Sequence, residues 1–213
     1  MFFFLMAACS PDSRTAESTP GNSPKDVPAD GRPIILAFGD SLTAGSGLPA
    51  GEGYPELLQK ELDGRGYRYR VVNEGIGGDT TGGGLARLAN AVRLRPRIVI
   101  LELGANDGLQ GIPVDSMKSN LDELITAFQK SGATVLLAGM TLPLNFGPDY
   151  IAAFEMVYPA LAQKHKAALI PFFLEGAAAR PELNLEDGIH PNAAGYRVVT
   201  ANVLKYLEPL LRK

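Results

Sequence analysis

The sequence is poor in the residues that build disulfides and metal centres. Among its 213 residues there is one cysteine, Cys9, and there are two histidines, His165 and His190. A single cysteine excludes an intramolecular disulfide and any multi-cysteine metal site. Two histidines argue against a His-rich catalytic zinc site. We therefore expect neither a metal nor a cofactor.

A surplus of positive charge is also missing. The 20 Lys and Arg residues against 23 Asp and Glu residues give a formal net charge of -3. Such a chain has no broad surface for polyanions, so nucleic acid is not an expected partner. The length fits one domain with a full hydrophobic core, because single cores serve up to about 250 residues.

The first nine residues form an apolar run that ends in small residues and Cys9. The run is too short to span a bilayer, which takes about 20 residues, and it resembles the end of a signal peptide. Leu5 to Cys9 also resembles a bacterial lipobox, whose cysteine is acylated. No Lys or Arg precedes the run, so the alternative is an apolar N-terminus with a bystander cysteine. We favour the lipobox, which predicts an exported, periplasmic protein anchored to a bacterial membrane.

Residues 10–32 are rich in Ser, Pro, Thr, Asp and Gly. A segment with so few large apolar side chains cannot bury enough surface to offset the entropy of ordering it. It is therefore predicted to be a disordered tether, and residues 33–213 are predicted to form the folded domain.

From residue 33 onward, short apolar runs alternate with amphipathic segments. Strands are predicted at 34–38, 69–73, 98–101, 134–138 and 168–172. The helices between them include one that Asp115 is expected to cap and one that Pro159 is expected to kink or interrupt. Five buried strands separated by helices predict an α/β fold, a parallel sheet with helices on both faces. Reactive residues in such folds gather at the carboxyl ends of the strands.

Four polar motifs follow predicted strands, at 39–43, 73–80, 104–107 and 187–191. They contain Ser41, a glycine-rich loop, Asn106, and Asp187 three residues before His190. Each has an ordinary alternative: a turn or cap for the serine, a flexible turn for the glycines, an Asx-turn for the asparagine, and a helix cap for the histidine. His165 lies in a polar segment and is expected to have no chemical role.

Together, the order and placement of these motifs resemble the signature blocks of the SGNH (GDSL) hydrolases. Within that family, the chain is similar to the bacterial multifunctional thioesterase, lysophospholipase and arylesterase branch. The matching stretches are 72–80, 85–88, 101–109, 171–173 and 187–192. The resemblance covers about residues 33–213 and implies a three-layer α/β/α, flavodoxin-like fold with a five-stranded parallel sheet.

The resemblance also implies roles for single residues. Ser41 corresponds to the nucleophile, His190 to the general base, and Asp187 to the residue that orients it. The oxyanion hole corresponds to the backbone N–H groups of Ser41 and Gly78 and the side-chain amide of Asn106. The implied substrates are small acyl esters and thioesters, such as lysophospholipids, aryl esters and acyl-CoA.

Two loops carry apolar residues that suit an acyl groove. These residues are Leu109, Ile112, Pro113, Leu144 and Phe146. The alternative is that they pack under the loops. A carbohydrate O-acetylesterase is a second interpretation of the same fold and would require an open polar cleft. A non-catalytic lipid-binding lipoprotein is a third, which the intact set of catalytic residue types disfavours.

Overall fold

The structure, a computed structural model, describes residues 30–212. The predicted signal-peptide remnant, the lipobox cysteine Cys9 and nearly all of the predicted tether lie outside the described residues. The strands are β1 (Ile34–Gly39), β2 (Arg70–Gly75), β3 (Ile98–Glu102), β4 (Thr134–Ala138) and β5 (Ala168–Ile170). They form one parallel sheet in the order β2-β1-β3-β4-β5. The predicted fold class is confirmed.

The centre of the sheet is apolar on both faces. In β1, Ile35 pairs with Val71 of β2 on one side and with Ile98 of β3 on the other. Every residue of β3 is buried. Continuous runs of Ile, Val and Leu are typical of strands that helices cover on both faces, which is why these segments lack the polar alternation of a half-exposed strand.

Seven α-helices are present within residues 30–212. They are α1 (Ser41–Ala44), α2 (Tyr54–Gly64), α3 (Thr81–Arg93), α4 (Ala105–Leu109), α5 (Val114–Lys130), α6 (Pro148–His165) and α7 (Ala193–Leu207). Helix α2 packs against α7, whereas α5 packs between α3 and α6, so the sheet lies between two groups of helices. None of these helices is both long enough and apolar enough to cross a membrane.

Three local predictions differ from the structure. Strand β5 ends at Ile170, because the next residue is Pro171, which has no N–H to continue the ladder. Asp115 lies in the first turn of α5, which Pro113 precedes as the cap residue. Helix α6 continues through Pro159 without interruption. Pro159 and Glu155 are on an exposed face, where water can donate to the Glu155 carbonyl the hydrogen bond that proline cannot make.

The strand order creates a switch point beside β1. Strand β2 lies on one side of β1 and β3 on the other, because the connections through α2 and α3 lead in opposite directions. A crevice forms at the carboxyl ends of the strands at such a point. The segments that follow β1, β2 and β3 hold Ser41, Gly78 and Asn106, so the fold brings these residues to one edge of the sheet.

Candidate active site

Ser41 lies at the point where β1 turns sharply into the short helix α1. The Asp40 side chain accepts a hydrogen bond from the Leu42 N–H (2.9 Å) and so caps this helix. A Cβ atom at Gly39 would collide with Thr43 and Glu102. Glycine at this position therefore allows the turn that places the Ser41 hydroxyl at the sheet edge.

Ser41, His190 and Asp187 form a hydrogen-bonded chain. The Ser41 Oγ atom lies 2.9 Å from His190 Nε2, and His190 Nδ1 lies 2.7 Å from Asp187 Oδ2. The Asp187 Oδ1 atom accepts the backbone N–H groups of Ile189 (2.9 Å) and His190 (3.0 Å). The segment that links the two side chains is a tight loop, which lets a carboxylate reach a ring three residues later.

The electrostatics of this chain define the state of the imidazole. Hydrogen bonds from the His190 backbone and side chain lower the pKa of Asp187 from 3.8 to about 2. Asp187 is therefore a carboxylate at neutral pH and can only accept, so the Nδ1 atom of neutral His190 carries the proton. The Nε2 lone pair then faces the Ser41 hydroxyl, which is the arrangement that general-base catalysis requires.

The three predicted oxyanion-hole groups lie at the same edge, and two of them are free. Within residues 30–212, the backbone N–H groups of Ser41 and Gly78 donate to no protein acceptor. Gly78 has a φ of 76°, a left-handed conformation that favours glycine. Asn106 Nδ2 donates to Asp40 Oδ2 (3.0 Å) and to the Asp79 carbonyl (2.9 Å), so both of its N–H groups are engaged.

Arg87 of α3 joins the loops that follow β1 and β2. Its guanidinium donates to the Gly39 carbonyl (2.9 Å), the Glu74 carbonyl (2.8 Å) and Asp79 Oδ2 (2.8 Å). It also stacks on the Phe38 ring, with 3.7 Å between the guanidinium carbon and the ring centroid. Arg87 lies in the stretch 85–88 that resembles the SGNH hydrolases, but the resemblance assigns it no role. Because it donates to three acceptors in different directions, we interpret it as a clamp between the two loops.

A cavity of about 520 Å³ opens beside Ser41 and His190. Its apolar lining comes from α1, from the loops after β3, β4 and β5 and from the segment before His190. The apolar lining residues are Leu42, Ala105, Leu109, Met140, Leu142, Pro143, Leu144, Phe172, Leu174, Ala178, Ala179 and Ile189. The volume and the apolar walls are those of a small-molecule site.

The structure separates the five residues predicted for an acyl groove into two sets. Leu109 and Leu144 line the cavity, whereas Ile112, Pro113 and Phe146 do not. Phe146 instead stacks on the Tyr150 ring at 6.3 Å between centroids, as the alternative of packing under the loops describes. Apart from Leu144, sequence reasoning missed the lining residues after β4 and β5, although their position after strands was an available signal.

His165 lies at the C-terminal end of α6 and does not line the cavity beside Ser41. Its Nε2 atom lies 2.5 Å from Asp122 Oδ1. Lys164 forms an ion pair with the same carboxylate. This cluster joins α5 to α6.

Comparison with known proteins assigns the chain to a family. A family model described as the GDSL-like lipase/acylhydrolase family matches residues 37–198. This match and the named relatives define the class of protein as a carboxylic ester hydrolase. The chain belongs to the GDSL-like lipase/acylhydrolase family, which confirms the resemblance found in the four motifs.

Two curated relatives and one solved structure illustrate the similarity. Esterase TesA of Pseudomonas aeruginosa is 47% identical over 178 residues, which are 83% of this chain and 89% of the relative. Thioesterase 1/protease 1/lysophospholipase L1 of Escherichia coli is 36% identical over 178 residues, 83% of this chain and 84% of the relative. The psychrotrophic esterase EstA from Pseudoalteromonas, solved with monoethylphosphonate as inhibitor, has a TM-score of 0.80 at 33% identity, covering 83% of this chain and 97% of that one.

Proposed function

We propose that this protein hydrolyses small acyl esters and thioesters through an acyl-enzyme formed on Ser41. The observation that carries the proposal is the hydrogen-bonded chain of Ser41, His190 and Asp187 at the mouth of an apolar cavity. A serine hydroxyl is a poor nucleophile at neutral pH unless a base lies within hydrogen-bond reach. The 2.9 Å between Ser41 Oγ and His190 Nε2 meets that requirement.

In the proposed reaction, His190 takes the Ser41 proton as the hydroxyl oxygen attacks the acyl carbon. The resulting oxyanion is stabilised by the N–H groups of Ser41 and Gly78 and by the Asn106 amide. His190 then protonates the leaving alcohol or thiol, and the acyl group remains on Ser41. Water activated by His190 releases the acid in the second half of the reaction. Asp187 holds the imidazole and stabilises its charged form throughout.

The cavity supports acyl chains rather than sugars as the group next to Ser41. Its walls are formed mainly by Leu, Met, Phe and Ala side chains, with few polar groups to recognise hydroxyls. Binding of an aliphatic chain is favourable in proportion to the apolar area that is removed from water. The carbohydrate O-acetylesterase remains a second candidate because an acetyl group also fits the fold's chemistry. Relatives named as an esterase and as a thioesterase and lysophospholipase favour the first.

Hydrolysis of p-nitrophenyl esters from acetate to palmitate tests this proposal. The full chain is compared with Ser41→Ala and with Ser116→Ala, a control at an exposed serine of α5. We expect activity to disappear only in Ser41→Ala and to extend beyond acetate. A phosphonate ester that labels Ser41 in peptide mapping provides a second readout. Activity that survives Ser41→Ala contradicts the proposed nucleophile, and activity limited to acetate favours the acetylesterase.

We also propose that the protein is exported and anchored through Cys9. The support is the sequence alone, namely the apolar residues 1–8 before Cys9 and the Ser- and Pro-rich segment that follows. An exported enzyme has no access to cytosolic acyl-CoA, so lysophospholipids or external esters become the native substrates. Labelled palmitate should be incorporated into the wild-type chain and absent from Cys9→Ser. Equal labelling of the two proteins excludes this anchor.

A further inference from the structure

Glu102 is a buried carboxyl group beside the turn that carries Ser41. It is the last residue of β3, and its exposed fraction is 0%. Its Oε2 atom accepts hydrogen bonds from the Thr43 hydroxyl (2.8 Å) and from the Asp40 N–H (3.3 Å). No donor within residues 30–212 reaches its Oε1 atom. A buried carboxylate with an unpaired oxygen is costly, and a proton on that oxygen turns it into a donor.

Asp40 supplies the acceptor for that proton. It is 1% exposed, and its own N–H donates to Glu102 Oε2 (3.3 Å), while burial and the neighbouring Asp40 charge raise the pKa of Glu102. Two ionised carboxylates are both acceptors, so a hydrogen bond between them requires a proton. The two Asp40 oxygens also accept N–H groups from Leu42 (2.9 Å) and Asn106 (3.0 Å), which suits the ionised form. The proton of the pair therefore belongs to Glu102.

The surroundings agree with one proton and one charge on the pair. Burial raises the pKa of Glu102 well above its usual value and the pKa of Asp40 to about 6. Helices α2, α6 and α7 face the pair with tyrosines, which burial keeps neutral by raising their pKa values. The ionisable groups that act on the pair are His190 and Asp79, and those that act on the tyrosines include Glu56 and Asp107.

We propose that Glu102 is a positioning residue, a neutral acid whose hydrogen bond to Asp40 controls how Asn106 donates to the oxyanion. The proposal rests on the proposed function, because it assigns Asn106 to the oxyanion hole. Asn106 Nδ2 has both N–H groups engaged, one with Asp40 Oδ2 (3.0 Å) and one with the Asp79 carbonyl (2.9 Å), so an oxyanion competes with these acceptors for the amide. The Glu102 proton weakens Asp40 as a competing acceptor and limits the negative charge beside the oxyanion to one.

Two substitutions separate the hydrogen bond from the volume of the side chain. Glu102→Gln keeps a neutral donor toward Asp40 and an acceptor for Thr43, so we expect kcat on p-nitrophenyl butyrate within about 3-fold of wild type. Glu102→Leu removes the donor, and we expect kcat to fall about 10- to 100-fold with little change in KM. This loss is smaller than the roughly 100- to 1000-fold that follows removal of an oxyanion donor itself.

A double-mutant cycle tests whether Glu102 acts through Asn106. In an Asn106→Ala background, Glu102→Leu should cause no further loss of kcat, because the amide it controls is gone. Additive losses, or a Glu102→Gln enzyme as impaired as Glu102→Leu, overturn the proposal. Circular dichroism and thermal unfolding verify that each variant is folded.

Infrared spectroscopy provides a readout that needs neither activity nor the leucine variant. At neutral pH, the wild-type protein should show the C=O stretch of a protonated carboxyl group, and Glu102→Gln should lack it. The matched control is Asp107→Asn, since Asp107 is also buried but accepts the Thr81 N–H (2.8 Å) and hydroxyl (2.5 Å), as a carboxylate does. Asp107→Asn should keep the band. A wild-type protein without the band overturns the proposal, whereas a band in a protein without esterase activity overturns only the proposed function.

Discussion

The two halves of the candidate active site are built in different ways. Ser41 follows directly on a central strand, and the side chains that hold its turn, Asp40 and Thr43, are buried. His190 and Asp187 stand on a surface loop, where their side chains are 23% and 44% exposed. One half is thus fixed by the hydrophobic core of the domain, and the other by a few local hydrogen bonds.

This contrast separates activity from stability. A change on the Ser41 side disturbs groups that the core has enclosed, so stability and turnover should fall together. A change on the His190 side removes chemistry from a loop that contributes little buried apolar surface, so turnover should fall alone. The following four predictions test this difference.

The largest effect is expected for His190→Ala. Without the imidazole, Ser41 has no base, and we expect kcat to fall by at least about 10⁴-fold, as in other serine hydrolases that lose a triad member. The midpoint of thermal unfolding should stay close to that of wild type. Ester hydrolysis and calorimetry on the same preparation measure both quantities. A large drop in stability would mean that the loop belongs to the core after all.

A smaller loss of activity is expected for Asn106→Ala. Removal of one oxyanion donor lowers kcat by roughly 100- to 1000-fold, with a smaller effect on KM. Near-normal turnover of p-nitrophenyl butyrate would exclude the Asn106 amide from the oxyanion hole. Stability should also decrease, because the Asp79 carbonyl and the buried Asp40 carboxylate lose a donor.

Arg87→Lys, a change on the Ser41 side, should moderately lower both the stability of the protein and its turnover. A lysine keeps the charge but cannot reach three acceptors while stacking on Phe38. We expect a loss of about 1–3 kcal/mol in the free energy of unfolding, since hydrogen bonds to charged groups contribute on that order. Turnover should fall about 10-fold, because a misplaced oxyanion donor weakens transition-state binding. Urea unfolding and kcat are measured on the same variant. A change in only one of them contradicts the role of Arg87 as a clamp between the two loops.

The smallest effect concerns the acid stability of the His190 half. The pKa of Asp187 is lowered from 3.8 to about 2, so its contribution is present above the unfolded value and is lost as the pH falls toward 2. Asp187→Asn should therefore flatten the fall in stability between about pH 4 and pH 2. Urea unfolding over that range is compared with Glu186→Gln, an exposed neighbour. If the free energy of unfolding depends on pH equally in wild type and Asp187→Asn, the Asp187 carboxylate does not contribute to stability.

The sequence predicts those features that depend on continuous runs and on strand ends. The apolar strands and the four motifs that follow them lead to the parallel sheet and to the residues that meet at its edge. The length of β5 and the continuity of α6 depend on Pro171 and Pro159 in their local surroundings, which periodicity does not describe. The burial of Glu102 was not predicted for a related reason. In the sequence, Glu102 is the polar last residue of an apolar strand, and only the tertiary packing shows that the core encloses it.

The cavity walls are also a product of tertiary structure. Met140, Leu142 and Leu174 lie in the stretches 139–147 and 171–186, which contain none of the four motifs. They become neighbours of Ser41 because all five strands are parallel and end at one edge. A search of the sequence for catalytic motifs therefore finds the reacting groups and misses most of the residues that face the substrate.

The separation of the catalytic residues from most of the substrate-facing residues along the chain has an evolutionary consequence. The groups assigned to bond making follow β1, β2 and β3 or lie at 187–190, whereas much of the substrate-facing wall lies between residues 140 and 179. Selection can therefore diversify the latter segments, by point mutation or by exchange between paralogues, while the catalytic half is left untouched. Libraries randomised only at the cavity-lining residues between 140 and 179 should yield new ester preferences at a high frequency of folded clones.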